Sequence, residues 1–182
     1  DYVTPTISSA TTSFGDRIYS VGGTAGTSSN KVNTFVSLGV DDSQWQVEQA
    51  YPVNISAAAS VNYEDKIFVF GGVQQEGQPA VNNVNFYDLK NGVWNAVTPM
   101  QNSRSGCSAL IFKDRIWVLG GVVNGSVESY DPKTNTWRVE EANLEVRNNG
   151  VAWVAGDYIY FGGGGSSSGN RLQSVEKYSP TS

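Results

Sequence analysis

The sequence predicts an all-β repeat protein, and three observations carry that prediction. Near-copies of one stretch stand at four places: Asp16 to Gly23 (DRIYSVGG), Asp65 to Gly72 (DKIFVFGG), Asp114 to Gly121 (DRIWVLGG) and Asp157 to Gly163 (DYIYFGG). The glycine pairs, read as beginning at Gly22, Gly71, Gly120 and Gly162, step by 49, 49 and 42 residues, a period that marks a repeat architecture. Aligned on Asp-x-Ile, the segments TISSATTSFGDRI, ISAAASVNYEDKI, RSGCSALIFKDRI and RNNGVAWVAGDYI fall into register without gaps, and each reads as strand, tight turn, strand.

Two further marks follow the glycine pairs. An aromatic opens Tyr87-Asp88-Leu89 and Tyr130-Asp131-Pro132, and a tryptophan stands seven residues later at Trp94 and Trp137. The third unit, GGVVNGSVESYDPKTNTW, resembles the kelch units of Kelch-like adaptor proteins, and the resemblance spans essentially the whole chain. Unit one departs most: it has Trp45 but no Tyr-Asp pair. The resemblance implies one all-β domain, a β-propeller of four kelch blades, each a four-stranded antiparallel sheet. The units run approximately over 6–53, 54–101, 102–145 and 146–182 plus 1–5.

Within each unit the first strand is rich in small residues, including Ser9, Ala10, Ala58, Ala59, Cys107, Ser108, Gly150 and Val151. Small side chains suit strands that converge on a narrow axis, so this is the inner strand; the exception, Trp153, is expected to point between blades. The second strand (IYSVGG, IFVFGG, IWVLGG, IYFGG) is apolar nearly throughout, as a strand covered on both faces must be. Its closing glycines permit backbone approaches that a Cβ would block. Polar linkers of unequal length follow at Thr24 to Lys31, Gln74 to Val81, Val123 to Gly125 and Gly164 to Arg171, and such insertions map to loops on one face. The third strands are VNTFVSL, VNNVNFYDL, SVESYDP and LQSVEKYSP, and the outer strands start at Trp45, Trp94 and Trp137, whose rings are expected to pack between blades.

The fourth unit stops at Tyr178-Ser179-Pro180-Thr181-Ser182 with no tryptophan strand behind it, while Val3-Thr4-Pro5 matches Val97-Thr98-Pro99 at the end of the second outer strand. The last blade is therefore expected to be completed by the N-terminal strand, closing a four-bladed monomeric ring. Two alternatives stay open: a piece of a larger propeller, and two chains completing one ring.

A net charge of −5, with 12 Lys and Arg against 17 Asp and Glu, argues against nucleic acid as a partner. No apolar run approaches the length that spans a bilayer, so membrane insertion is not expected. The single cysteine, Cys107, excludes an internal disulfide and reads as a buried thiol. The absence of histidine excludes serine–histidine and cysteine–histidine catalysis and removes the commonest metal ligand, so neither catalytic residues nor a cofactor or metal is expected. The aspartates Asp16, Asp65, Asp114 and Asp157 recur at one turn, where the residue type suits the backbone itself.

The loops from an outer strand to the next inner strand carry the candidate partner-binding residues Asn54, Asn102, Ser103, Arg104, Arg147 and Asn148, and Arg171 stands in the last linker. Arg104 and Arg147 fill equivalent positions, taken by Thr6 and Ile55 in the first two units. The resemblance implies that such loops present arginines and serines to a protein or peptide ligand; the competing role is to satisfy carbonyls or an acidic neighbour at a blade junction. The expected function is a non-enzymatic binding module. The alternatives are a secreted, lectin-like carbohydrate-binding propeller and a histidine-free enzyme such as a sugar isomerase. The sequons at Asn54 and Asn124 do not indicate secretion, and the compartment stays open between the cytoplasm, which the resemblance implies, and secretion after processing.

Overall fold

The computed structural model describes residues 6–26, 30–121, 124–142 and 144–180. They form β-structure throughout, arranged as four antiparallel sheets in chain order around one axis. Blade 1 comprises Ala10–Phe14, Arg17–Val21, Phe35–Gly39 and Gln46–Val47; blade 2 comprises Ala59–Tyr63, Lys66–Phe70, Val84–Asp88 and Val93–Ala96. Blade 3 comprises Ser108–Phe112, Arg115–Leu119, Val127–Asp131 and Thr136–Glu140. Blade 4 has three described strands, Val151–Ala155, Tyr158–Gly162 and Val175–Tyr178. The strand expected to complete it, at Asp1 to Pro5, lies outside the described residues. A small extra sheet joins Thr6–Ile7, Thr24–Ala25 and Asn30–Lys31.

The inner strands carry small residues because all four line one axial cavity of about 230 Å³, walled by Ser9, Ala10, Ala58, Ala59, Cys107, Ser108 and Val151 among others. The turn after each inner strand is tight, with Gly15, Glu64, Lys113 and Gly156 all at positive φ of 49–58°. The second strands are apolar because each is sandwiched. Ile67 and Val69 face blade 1, while Phe68 and Phe70 on the same strand face blade 3. Ile116 and Val118 likewise face blade 2, while Trp117 and Leu119 face blade 4. Each such side chain, fully buried, contributes roughly 1.5–3 kcal/mol. Trp94 and Trp137 sit between blades as expected. Trp94 packs edge-on to Phe35 and Tyr51 of blade 1 and donates its indole N–H to the Gln49 carbonyl at 2.8 Å. Trp137 donates to Thr98 of blade 2 at 2.8 Å.

Strand register moves the fourth glycine pair by one residue. Gly162 pairs with Val151 as Val21 pairs with Ala10, so the equivalents of Gly22-Gly23 are Gly163-Gly164. The sequence hides this because three glycines run past that point without a break.

The faces that would meet in a closed four-bladed ring are uncovered among the described residues. Phe35, Val84 and Val127 occupy one position in blades 1 to 3 and are buried, whereas Val175 at that position in blade 4 is 58% exposed. Trp153 does lie on the side between blades, in the slot of Val61 and Leu110, yet it stays 41% exposed and stacks on Tyr160 of its own blade.

Candidate functional site

The antiparallel order of each blade brings two sets of loops to one end of the molecule: those from second to third strand, and those from an outer strand to the next inner strand. The predicted partner-binding residues all belong to this end. The aspartate turns lie at the other end, where Lys90 pairs with Asp65 at 2.6 Å and Lys133 with Asp114 at 3.5 Å.

Arg104 and Arg147 do not face outward. Both side chains are wholly buried, and each ties two blades together. The Arg104 carbonyl accepts from Gly72 N–H of blade 2 at 2.7 Å. Its guanidinium reaches into blade 3, donating to the Gly120 and Ser126 carbonyls at 2.9 Å each and to Glu128 at 3.0 Å. Arg147 repeats the device one blade later: its carbonyl accepts from Gly121 N–H, and its guanidinium donates to the Gly163 and Ser174 carbonyls and to Glu176 at 2.7 Å. A guanidinium satisfies several acceptors in a fixed plane, which suits such a joint. Satisfying carbonyls and an acidic neighbour is thus the role their contacts fit, and presentation of either guanidinium to a partner is not what the structure offers.

The other predicted residues divide. Asn102 is spent on the same network, its backbone and side-chain N–H groups both donating to Glu128 at 3.0 Å. Asn148 bridges to Gly165, which in turn bridges to Arg171. Asn54, Ser103 and Arg171 are exposed.

A concave surface at this end lies over blades 1 and 2, where two adjoining hollows of about 330 Å³ each share Asn54, Gln74 and Gln75. Asn30, Lys31 and Glu76 complete one, and Asn33, Pro52 and Val53 the other. Lys31 and Glu76 close one wall as an ion pair at 2.8 Å, and Asn33 is anchored by donating to the Tyr51 carbonyl at 3.1 Å. The carboxamides of Asn54, Gln74 and Gln75 make no hydrogen bond among the described residues. A free carboxamide offers two donors and an acceptor that accepts twice, so three of them on one wall form a surface for reading polar groups of either sense. Of these residues, sequence reasoning singled out only Asn54; the Gln-rich linker was placed on the binding end, but nothing in it told which blade would carry the groove.

Comparison with known proteins gives the fold a name. The family profile described as the KLHDC2/KLHL20/DRC7 Kelch-repeats domain matches residues 8–182. Among solved structures, the chain described as "Structure of YjhT" superposes with a TM-score of 0.78 at 17% sequence identity, covering 100% of this chain and 67% of that one. Among curated proteins nothing matches.

Proposed function

The chain belongs to the kelch-repeat family, whose propellers generally serve protein interaction, and from that premise we propose that this one is a non-enzymatic module that binds an extended peptide segment of a protein partner. The observation that carries this reading is the wall of unpaired carboxamides, Asn54, Gln74 and Gln75, at the loop end of a rigid frame. An extended peptide presents alternating N–H and C=O groups, and carboxamides complement both. The ordering cost is low because the flanks are fixed by the Lys31–Glu76 pair and the Asn33 anchor. Ser103 and Arg171, exposed at the same end, extend the proposed contact surface toward blades 3 and 4.

A carbohydrate would ask for something different. Sugar faces stack on aromatic rings, and among the described residues no ring lines either hollow. Selection from a displayed peptide library tests the proposal. Peptides enriched on the native chain should lose about tenfold or more in affinity against an Asn54→Ala, Gln75→Ala double variant, equivalent to roughly 1.4 kcal/mol. Peptides that bind both alike, or glycan-array binding in their place, would reject it.

A further inference from the structure

We infer that the groove over blades 1 and 2 selects an uncharged segment in which an Asn or Gln side chain stands two residues from an aliphatic one. The inference rests on the peptide-binding reading above and adds to it the chemistry of the peptide.

Five carboxamides line this part of the loop end: Asn30, Asn54, Gln74, Gln75 and Gln78. None of the five makes a side-chain hydrogen bond among the described residues. Asn33, Asn82 and Asn85 of the same two blades, by contrast, donate to the Tyr51 carbonyl, the Met100 carbonyl and the Tyr51 hydroxyl. A carboxamide is matched most fully by another carboxamide, because the pair exchanges two parallel N–H···O bonds and strands neither a donor nor an acceptor. A carboxylate would set its oxygens against the amide carbonyls, and an ammonium would set its protons against the amide N–H groups.

Charge points the same way. The ionic side chains of the groove, Lys31 and Glu76, neutralise each other at 2.8 Å. A charged peptide group would shed water there without meeting a free counter-ion, which is costly. The net charge of −5 adds a general repulsion of acidic segments, and the two arginines of the neighbouring loops are buried in the blade joints.

The aliphatic preference comes from a third hollow. It measures about 290 Å³, shares Gln74 and Gln75 with the other two, and is otherwise lined by Gln78, Pro79, Ala80 and Val81. The hollow beside Lys31 has no apolar side chain, whereas this one has three. Side chains two residues apart on an extended segment lie on one face, roughly 6.6 Å from each other, so one can meet the carboxamides while the other enters the apolar hollow.

The reading wall is held from both sides. Next to Asn54, Ile55 N–H donates to the Val32 carbonyl at 3.0 Å; next to Gln74, Val73 exchanges two backbone bonds with Ser56 at 2.9 and 3.0 Å. Ala57 N–H then donates to the Ser8 carbonyl, the first link of a backbone chain around the axis that Gly106 continues to Ala57 and Asn149 to Gly106, at 2.7–2.8 Å. All four of these residues hold positive φ between 53 and 65°. A wall fixed in this way selects by complementarity, since little ordering is left to the moment of binding.

Enrichment of a displayed random peptide library on this chain, followed by synthesis of the enriched sequences, tests the inference separately from the reading beneath it. The expected result is Asn or Gln at one position several-fold above its library frequency, with Leu, Ile or Val two residues away. The Kd of such a peptide should change less than about twofold between about 50 and 500 mM salt. Enriched peptides that lack the carboxamide, or affinities that fall about tenfold with salt, would overturn the inference and leave a peptide module standing; no enrichment at all would overturn both. Gln75→Glu, at an exposed position with no side-chain bond to lose, should weaken the best peptide about tenfold, and Lys in place of the peptide's Asn or Gln should restore it. Unchanged binding of the original peptide to this variant would also overturn the inference.

Discussion

Arg104 and Glu128 are both out of water, and the carboxylate also collects the N–H groups of Gln101 and Asn102. Removing one partner of such a pair strands the other charge, which costs about 3–5 kcal/mol. Arg104→Ala should therefore lower stability by that amount in urea unfolding, while Arg147→Ala should cost less, because Glu176 is 24% exposed and water can take the place of the guanidinium. Burial also governs Cys107, whose thiol is pushed up to about 11 against a weaker opposing pull from Arg104. At pH 8 roughly one molecule in a thousand is then thiolate, and reaction with a disulfide reagent should be slow until the protein unfolds. Asp88 moves the other way: the side-chain and backbone N–H groups of Asn91 hold its carboxyl below the usual range. A depressed folded-state value means stability that is present above the ordinary carboxylate range and lost as pH falls through the folded value. NMR titration should show the low midpoint, and Asn91→Ala should raise it. The arginine slots were legible in the sequence because they align, but their function was not: Glu128 and Glu176 align with each other 24 and 29 residues away, and only strand pairing shows that they meet the guanidiniums.

The strand pattern of each blade could be read nearly whole, because a second strand buried on both faces writes an unbroken apolar run and an inner strand beside an axis writes small residues. The exception is blade 4, where consecutive glycines left the register ambiguous by one residue and only cross-strand pairing fixed it. Glycine substitutions separate two costs that sequence alone merges. Gly15→Ala pays only the left-handed backbone, about 1 kcal/mol, since nothing stands within 4 Å of the new methyl. Gly71→Ala adds a clash with the Arg104 carbonyl and should cost several-fold more in thermal or urea unfolding. Equal losses at the two sites would show that the blade junction yields freely.

At the level of the whole molecule, repeat proteins gain stability from intrinsic terms plus contacts between neighbours, so a blade with one neighbour is held less firmly than one with two. Native-state hydrogen exchange on the 182-residue chain should show blade 4 opening first and blades 2 and 3 last. The propeller was predictable because its period is written in every unit. The groove over blades 1 and 2 was not, since it arises where loops of different units come together, and neither its carboxamides nor the Lys31–Glu76 pair follows the repeat. The backbone chain from Ser8 through Ala57 and Gly106 to Asn149 has one more implication. Every peptide group in it points the same way round the axis, so the arc has a polarity: among the described residues it ends in an N–H at Ser8 and a carbonyl at Asn149 that are not bonded to each other. Two like ends brought together would oppose donor to donor or acceptor to acceptor, and the arc can be extended only head to tail.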